Sequence, residues 1–195
     1  MSKLLDLTLV FIMNNTKLDN DNSEIIRYGL EVLFIKIIFS MCSLLIAFSL
    51  HRFIECLFFL IVFSVIRTSA GGYHARTRIQ CFVMSMLMII INIGVINLVA
   101  HYISLYYILV PLDLISVVAI WSLSPVDTEN RPLDADEKIR FKKRTRILLC
   151  LELVSVIIME ILNLRIIVSE LLLATIFIAV LLIMELIVKR KNNEL

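Results

Sequence analysis

The chain has 195 residues, of which 60% are hydrophobic and only 18% are charged, and its mean hydropathy is +0.95. A soluble domain of this length lacks the interior volume to bury so much apolar surface. Composition therefore excludes an ordinary soluble domain and favours a membrane protein. The net charge of +2 is uninformative, but the distribution of the charges is not.

Residues 1–28 form the first predicted element. In "MSKLLDLTLVFIMNN" the residues Leu5, Leu9, Ile12 and Met13 follow i, i+4, i+7, i+8 spacing and share one helical face. The run is too short to span a bilayer, and no small-residue cleavage site follows it. We therefore predict an amphipathic helix that lies in the membrane interface.

Six later segments approach the roughly 20 apolar residues that a membrane-spanning helix needs. They lie at about 30–50, 53–70, 80–101, 104–123, 146–164 and 167–188. The second is the weakest, because its charge-free stretch between Glu55 and Arg67 covers about 16 Å of helix. To cross the bilayer this helix must include its flanking residues or thin the bilayer locally; otherwise it packs inside the protein. The predicted fold class is an all-α polytopic membrane protein with about six hydrophobic helices, in one domain over residues 1–195.

The Lys and Arg residues predict the orientation of these spans. Of 19 such residues, 16 lie in four regions: the N-terminal region, the second-to-third connection, the fourth-to-fifth connection and the C-terminal tail. All four regions fall on one side in a six-span arrangement. The positive-inside rule therefore places both termini and these connections in the cytoplasm.

Charged residues within apolar spans are costly and often functional. They are Glu31, Lys36, Asp113, Glu152, Glu160, Glu170 and Glu185. In one interpretation Glu31, Glu152 and Glu185 lie near helix ends and reach the interface. Glu160 follows Glu152 by eight residues, so the two share a helix face that turns toward the protein interior. They are either a carboxylate lining for a transport path or paired buried charges.

The stretch "RTSAGGYHARTRIQC", residues 67–81, interrupts the apolar sequence. Gly71 and Gly72 are predicted to break the helix, since glycine is costly in a helix interior and adopts positive φ easily. The resulting turn carries His74 at the membrane surface. Cys81 enters the next apolar run, where a helix N-terminus and neighbouring arginines favour a thiolate. Cysteine with histidine is the minimum constellation for covalent acyl chemistry.

Spacing limits this hypothesis. In one unbroken helix, residues seven apart lie about 10 Å apart along the axis, beyond hydrogen-bond reach of about 3 Å. The pair works only if the chain turns between Gly71 and Cys81; otherwise His74 is an ordinary solvated interfacial residue.

Metal and disulfide chemistry are not expected. The four cysteines are Cys42, Cys56, Cys81 and Cys150. They form no CxxC pair. His74 and Cys81 supply two ligands, whereas a structural zinc site takes four. His51 and His101 lie on the opposite side. We expect no metal, no cofactor and no nucleic-acid partner.

The motif R-T-S-A-G-G-Y-H-A, with a cysteine seven residues after the histidine, resembles the AgrB (accessory gene regulator protein B) family of bacterial membrane peptidases. The resemblance covers nearly the whole chain and includes the polar loop predicted at residues 124–146, "SPVDTENRPLDADEKIRFKKRTR". It implies a multi-pass protein of the bacterial cytoplasmic membrane with its active site on the cytoplasmic side.

The resemblance also implies a reaction. Family members process a quorum-sensing propeptide, here an AgrD-like partner. Cys81 attacks a peptide bond and forms an acyl-enzyme thioester, with release of the propeptide's C-terminal tail. His74 serves as base and then as acid. An internal Cys or Ser of the propeptide then closes a thiolactone or lactone ring. Family members also associate, so a homodimer is expected in the lipid bilayer.

Other residues have weaker assignments. Asp127 either orients His74 or forms an Asx turn, and Arg67 and Ser69 are candidates for stabilising the oxyanion or positioning substrate. The predicted loop also carries a basic run, which either attracts an acidic propeptide tail or only sets topology. Its candidate substrate-binding residues are Lys142, Lys143 and Arg144.

The leading hypothesis is thus a membrane cysteine endopeptidase that cleaves and cyclises an autoinducer propeptide. The first alternative is a small transporter or exporter that uses Glu152, Glu160 and Glu170. The second is a non-catalytic scaffold or sensor partner, in which no single residue is indispensable.

Overall fold

A computed structural model describes residues 23–73, 77–127 and 133–193. These residues form six helices and no strand: α1 (Ser23–Ser49), α2 (Phe53–Ala70), α3 (Arg78–His101), α4 (Ile103–Leu123), α5 (Ala135–Ile161) and α6 (Arg165–Asn193). The all-α class is confirmed. Most of the predicted interfacial region lies outside the described residues, and its last six residues, 23–28, already belong to α1.

Five of the six helices are long and apolar enough to cross a membrane. These spans are Gly29–Ser49, Phe53–Ala70, Ile79–His101, Ile103–Leu123 and Arg165–Lys191. They turn large apolar side chains outward; Ile115, Val118 and Ile187 are each more than 60% exposed. A helix satisfies its own backbone hydrogen bonds, so such surfaces are stable against lipid. The chain is a multi-pass membrane protein.

The fifth helix, α5, differs from this pattern, and here the prediction needs correction. The polar stretch predicted as a loop over 124–146 is helical from Ala135 onward. Asp134 and Glu137 form a capping box that begins the helix. Basic residues then occupy its first three turns, so α5 is too charged to qualify as a span by composition.

Even so, α5 runs the length of the helix bundle. Near its start, Lys138 lies 3.3 Å from Asp127, which follows α4. At its other end, the Tyr106 hydroxyl near the start of α4 donates to Glu160 at 2.6 Å. The helices α4 and α5 therefore run in opposite directions.

The chain divides into two compact units, residues 1–43 and residues 44–195. In the described part of the first, Arg27 and Glu31 form an i, i+4 ion pair at 3.8 Å. In the second, α6 packs against α2, α3, α4 and α5. Residues 168–175 of α6 are all buried. A helix that is buried on every side forms the centre of a bundle.

The helix α2 is long and apolar enough to span despite its short charge-free stretch. Its 18 residues cover about 27 Å. Arg52, at its start, lies 3.0 Å from Glu55 and donates to the Asn97 side chain at 3.0 Å. Arg67, in its last turn, donates to backbone carbonyls of the following loop. The charged side chains at both ends of α2 thus have hydrogen-bond partners within the protein, which explains why the helix tolerates them.

Candidate active site

The two glycines of the polar motif break the helix as predicted. The helix α2 ends at Ala70 and α3 begins at Arg78. Gly71 has φ +77° and Gly72 has φ +111°. A Cβ at Gly71 would overlap the Val126 carbonyl oxygen, and one at Gly72 would lie 3.2 Å from the Leu182 backbone. Both the backbone conformation and the close approach of neighbouring backbone require glycine here.

The loop that follows, residues 71–73, is held from three directions. Arg67 of α2 donates to the carbonyl oxygens of Gly71 and Tyr73. The Tyr73 N–H donates to the Leu181 carbonyl of α6 at 2.9 Å. The Val126 N–H donates to the last carbonyl of α2 at 3.0 Å. The segment that leads to His74 is therefore fixed by α2, by α6 and by the residues after α4.

Arg67 has a role that the sequence analysis did not anticipate. Its guanidinium donates to the two loop carbonyls, so it positions the backbone of the loop. Its candidate role in stabilising an oxyanion stays a prediction. It also carries a positive charge within electrostatic range of Cys81 and Glu185.

Cys81 lies in the first turns of α3, as predicted. Thr77 is the N-cap, and its side chain accepts a hydrogen bond from the Gln80 N–H at 3.2 Å. The Cys81 N–H donates to the Thr77 carbonyl at 3.0 Å. The thiol is free and Cys81 is partly exposed. A nucleophile at this position feels the positive end of the helix dipole.

His74 lies outside the described residues. The structure does establish the condition that its assignment needs, because the chain turns between α2 and α3 instead of continuing as one helix. That the His74 and Cys81 side chains meet stays a prediction.

Asp127 is engaged by two lysines from different helices. Its carboxylate accepts from Lys189 of α6 and lies 3.3 Å from Lys138 of α5. The hydrogen bond from Lys189, aided by Lys138, holds the pKa of Asp127 below its usual value despite partial burial. The predicted contact of Asp127 with His74 stays untested, and both of its carboxylate oxygens already have partners.

The remaining predicted site residues fall into two groups. Ser69 is buried within α2, and its hydroxyl has no hydrogen-bond partner in the described parts of the chain. The second group is the three basic residues Lys142, Lys143 and Arg144, which are exposed and lie on a helix rather than in a loop. Being consecutive, they point in different directions around α5.

Sequence reasoning missed the contribution of α6. Leu181, Glu185 and Lys189 are spaced by four residues and share one helix face. Leu181 binds the loop, Lys189 binds Asp127, and Glu185 is only 6% exposed. The expectation that Glu185 reaches the interface was therefore wrong. An i, i+4 Glu–Lys pair at the end of the last span was the available signal.

The three glutamates of the transporter alternative are not brought together. Glu152 is only 4% exposed, so the interpretation that it reaches the interface was wrong as well. Each glutamate has a different neighbour: Glu170 accepts from Asn92 at 2.7 Å, Glu152 faces Asp113, and Glu160 accepts from Tyr106. A 440 Å³ cleft between α4, α5 and α6 is lined by Glu160 but not by Glu152 or Glu170.

Comparison with known proteins identifies relatives of the chain. The family model AgrB, accessory gene regulator B, matches residues 6–188. AgrB-like protein 1 of Clostridium perfringens is 29% identical over 143 residues, which cover 73% of this chain and 75% of the relative. An AgrB-like protein of Clostridium acetobutylicum is 26% identical over 154 residues, which cover 76% and 69%. No solved structure matches the chain significantly.

Proposed function

Because the chain belongs to the AgrB family, which acts in agr quorum sensing, we propose that it is a membrane cysteine endopeptidase that processes an AgrD-type propeptide. One observation carries the proposal: the free Cys81 thiol lies near the start of α3, the helix that follows a glycine turn held by neighbouring backbone. This is the local structure that a nucleophile next to a histidine-bearing turn needs.

The proposed reaction has two acyl transfers. The Cys81 Sγ attacks a propeptide carbonyl carbon; a C–S bond forms and the C–N bond to the C-terminal tail breaks. His74 takes the thiol proton and gives it to the departing amine. An internal thiol or hydroxyl of the propeptide then attacks the thioester. Its proton passes through His74 to the Cys81 sulfur, and a thiolactone or lactone ring leaves. A thioester intermediate suits this step because it retains much of its acyl-transfer potential.

The start of α3 suggests the oxyanion donors. The first N–H groups of a helix have no intrahelical partner, and Thr77 takes up the one at Gln80. The remaining first-turn N–H groups lie within a turn of Cys81, where preorganised donors stabilise developing negative charge. We therefore assign this role to the α3 backbone in preference to Arg67, whose guanidinium already donates to two loop carbonyls, and to Ser69, which is buried.

The proposed site lies at the end of the bundle where α2, α4 and α6 end. The start of α5 at this end exposes basic residues, which suits an acidic propeptide tail. We place this end, and both termini, on the cytoplasmic side of the cell membrane by the positive-inside rule. The candidate residues for binding the acidic tail are Lys142, Lys143 and Arg144.

The expected homodimer remains a prediction.

The test is processing of an AgrD-type propeptide that is produced together with the protein in bacterial membranes. Cys81→Ala and His74→Ala should each reduce tail release by about a thousandfold or more while the protein still inserts. Cys81→Ser separates thiol chemistry from steric need. Cys150→Ala, at an exposed cysteine on α5, is the matched control and should process normally. Continued cleavage by a correctly inserted Cys81→Ala variant would refute the mechanism.

A further inference from the structure

Three charged residues from separate segments meet beside the candidate active site. Asp127 follows α4, Lys138 belongs to α5 and Lys189 belongs to α6; we call them the Asp127 cluster. Both lysines contact the one carboxylate. The Asp127 side chain is 28% exposed, and those of Lys138 and Lys189 are 50% and 31% exposed. The cluster therefore connects three segments at the surface of the bundle.

The cluster is joined to the loop that precedes the catalytic residues. Val126, the residue before Asp127, donates its N–H to the last carbonyl of α2. The Val126 carbonyl lies so close to Gly71 that no side chain fits there. The position of the segment at 126–127 therefore sets the position at which the loop at 71–73 begins.

The helix α6 anchors both sides of this arrangement. Its Leu181 carbonyl accepts from the Tyr73 N–H, and its Lys189 binds Asp127. The two α6 residues are eight apart, which puts them on the same face about 12 Å apart along the axis. One rigid helix thus holds the loop directly through Leu181 and indirectly through Asp127.

We propose that Lys138, Asp127 and Lys189 are positioning residues for the peptidase: their ion pairs fix the loop at 71–73 and, through it, the chain that leads to Cys81. The inference rests on the proposed function for its catalytic meaning but not for its geometry. It also gives Asp127 a role that requires no contact with His74.

The competing assignment is that Lys138 and Lys189 bind the acidic tail of the propeptide. The structure favours positioning, because both lysines already have an internal carboxylate between them. The two assignments predict different kinetics. Loss of a positioning contact lowers kcat with KM unchanged, whereas loss of a tail-binding lysine raises KM.

The test uses the full-length protein in membranes with three charge-removing variants, Asp127→Asn, Lys138→Met and Lys189→Met. The controls Arg140→Met and Lys191→Met match the two lysine variants, because they remove a positive charge from exposed positions on α5 and α6. The first measurement is the rate at which iodoacetamide alkylates Cys81, followed by mass spectrometry of the peptide that contains it. The second is kcat and KM for propeptide cleavage.

In the cluster variants we expect Cys81 alkylation to accelerate by about three- to fivefold, the range that exposed ion pairs support, and the controls to match the wild type. We expect kcat to fall by a similar or larger factor, with KM unchanged. Alkylation rates equal to those of the controls, or a rise in KM with kcat unchanged, would overturn the proposal.

Two features keep this test decisive. If Asp127→Asn does not accumulate in the membrane, Lys138→Met carries the test, because half of the Lys138 side chain is exposed and its loss should spare folding. Alkylation requires no propeptide. A wild type that never cleaves would therefore refute the proposed function, while the alkylation rates would still decide the role of the cluster.

Discussion

The two ends of the helix bundle handle polar groups in different ways. At the candidate active-site end, where α2, α4 and α6 end, Arg67 donates to loop carbonyls and Val126 pairs with the backbone of α2. Side-chain ion pairs occur at both ends: the Asp127 cluster at this end, and Arg52 with Glu55 and Arg165 with Glu160 at the opposite end. What differs is that the described hydrogen bonds of the Arg52 side chain go to side chains and not to a loop backbone.

The connections at the two ends also differ. In the short turns of the opposite end, His51 and Asn163 have positive φ although neither is a glycine. At Gly71 the Val126 carbonyl oxygen leaves no room for a side chain, and at Gly72 the Arg67 side chain and the Leu182 backbone approach closely. The opposite end only reverses the chain, whereas the active-site end fixes a loop against three neighbours. Loops held rigidly by a scaffold are typical of functional sites.

The largest effect after loss of the nucleophile should come from Gly71→Ala. At φ +77° and ψ −151° a residue with a side chain is strained by about 1–3 kcal/mol, and the new Cβ would also overlap the Val126 carbonyl oxygen. We expect propeptide cleavage to fall by at least about thirtyfold, since 1.4 kcal/mol corresponds to a factor of ten. Gly94→Ala is the control, because nothing lies within 4 Å of a Cβ there. Equal activities of the two variants would remove the distinction between the ends.

A smaller effect is expected from Arg67→Lys. Lysine retains the charge but cannot reproduce the planar fork that serves the carbonyls of both Gly71 and Tyr73. Loss of one hydrogen bond to a charged group costs about 1.5–3 kcal/mol, so cleavage should fall by about tenfold or more.

The matched change at the opposite end is Arg52→Lys, where the described hydrogen bonds of the guanidinium go only to side chains. It should lower thermal stability but leave cleavage per folded molecule unchanged. Loss of cleavage in Arg52→Lys equal to that in Arg67→Lys would contradict the comparison.

The smallest effect concerns pH. The lysines hold the pKa of Asp127 below its usual value of about 3.9. Ion pairing of Asp127 therefore stabilises the fold at pH values above the usual pKa, and this stabilisation is lost as pH falls through the lowered one. The difference in melting temperature between wild type and Asp127→Asn should stay constant from about pH 6 to 8 and shrink below about pH 4. A difference that varies between pH 6 and 8 would point to another titrating group.

The sequence predicted the helices well because apolar runs and their breaks are local signals. Every described helix overlaps a predicted span, and Gly71 and Gly72 end α2 as expected. The start of α5 was missed because hydropathy does not detect a charged helix. The capping box of Asp134 and Glu137 marked that start in the sequence.

The site was predictable only where its determinants are local. The position of Cys81 in the first turns of α3 follows from the residues around it. The contacts that hold the loop join Tyr73 to Leu181 and Asp127 to Lys189. Such contacts depend on which helix faces pack together and in what register, and periodicity in a single apolar helix does not specify either. For the same reason, the buried position of Glu185 was missed.

The most direct test of the central claim is mass spectrometry of the full-length protein quenched during reaction with its propeptide. We predict that the peptide containing Cys81 gains the mass of the propeptide without its C-terminal tail. Hydroxylamine should remove this mass, since it cleaves thioesters, and Cys81→Ala should never acquire it. Tail release by the wild type with the Cys81 peptide unmodified at every quench time, together with release by Cys81→Ala, would contradict the account.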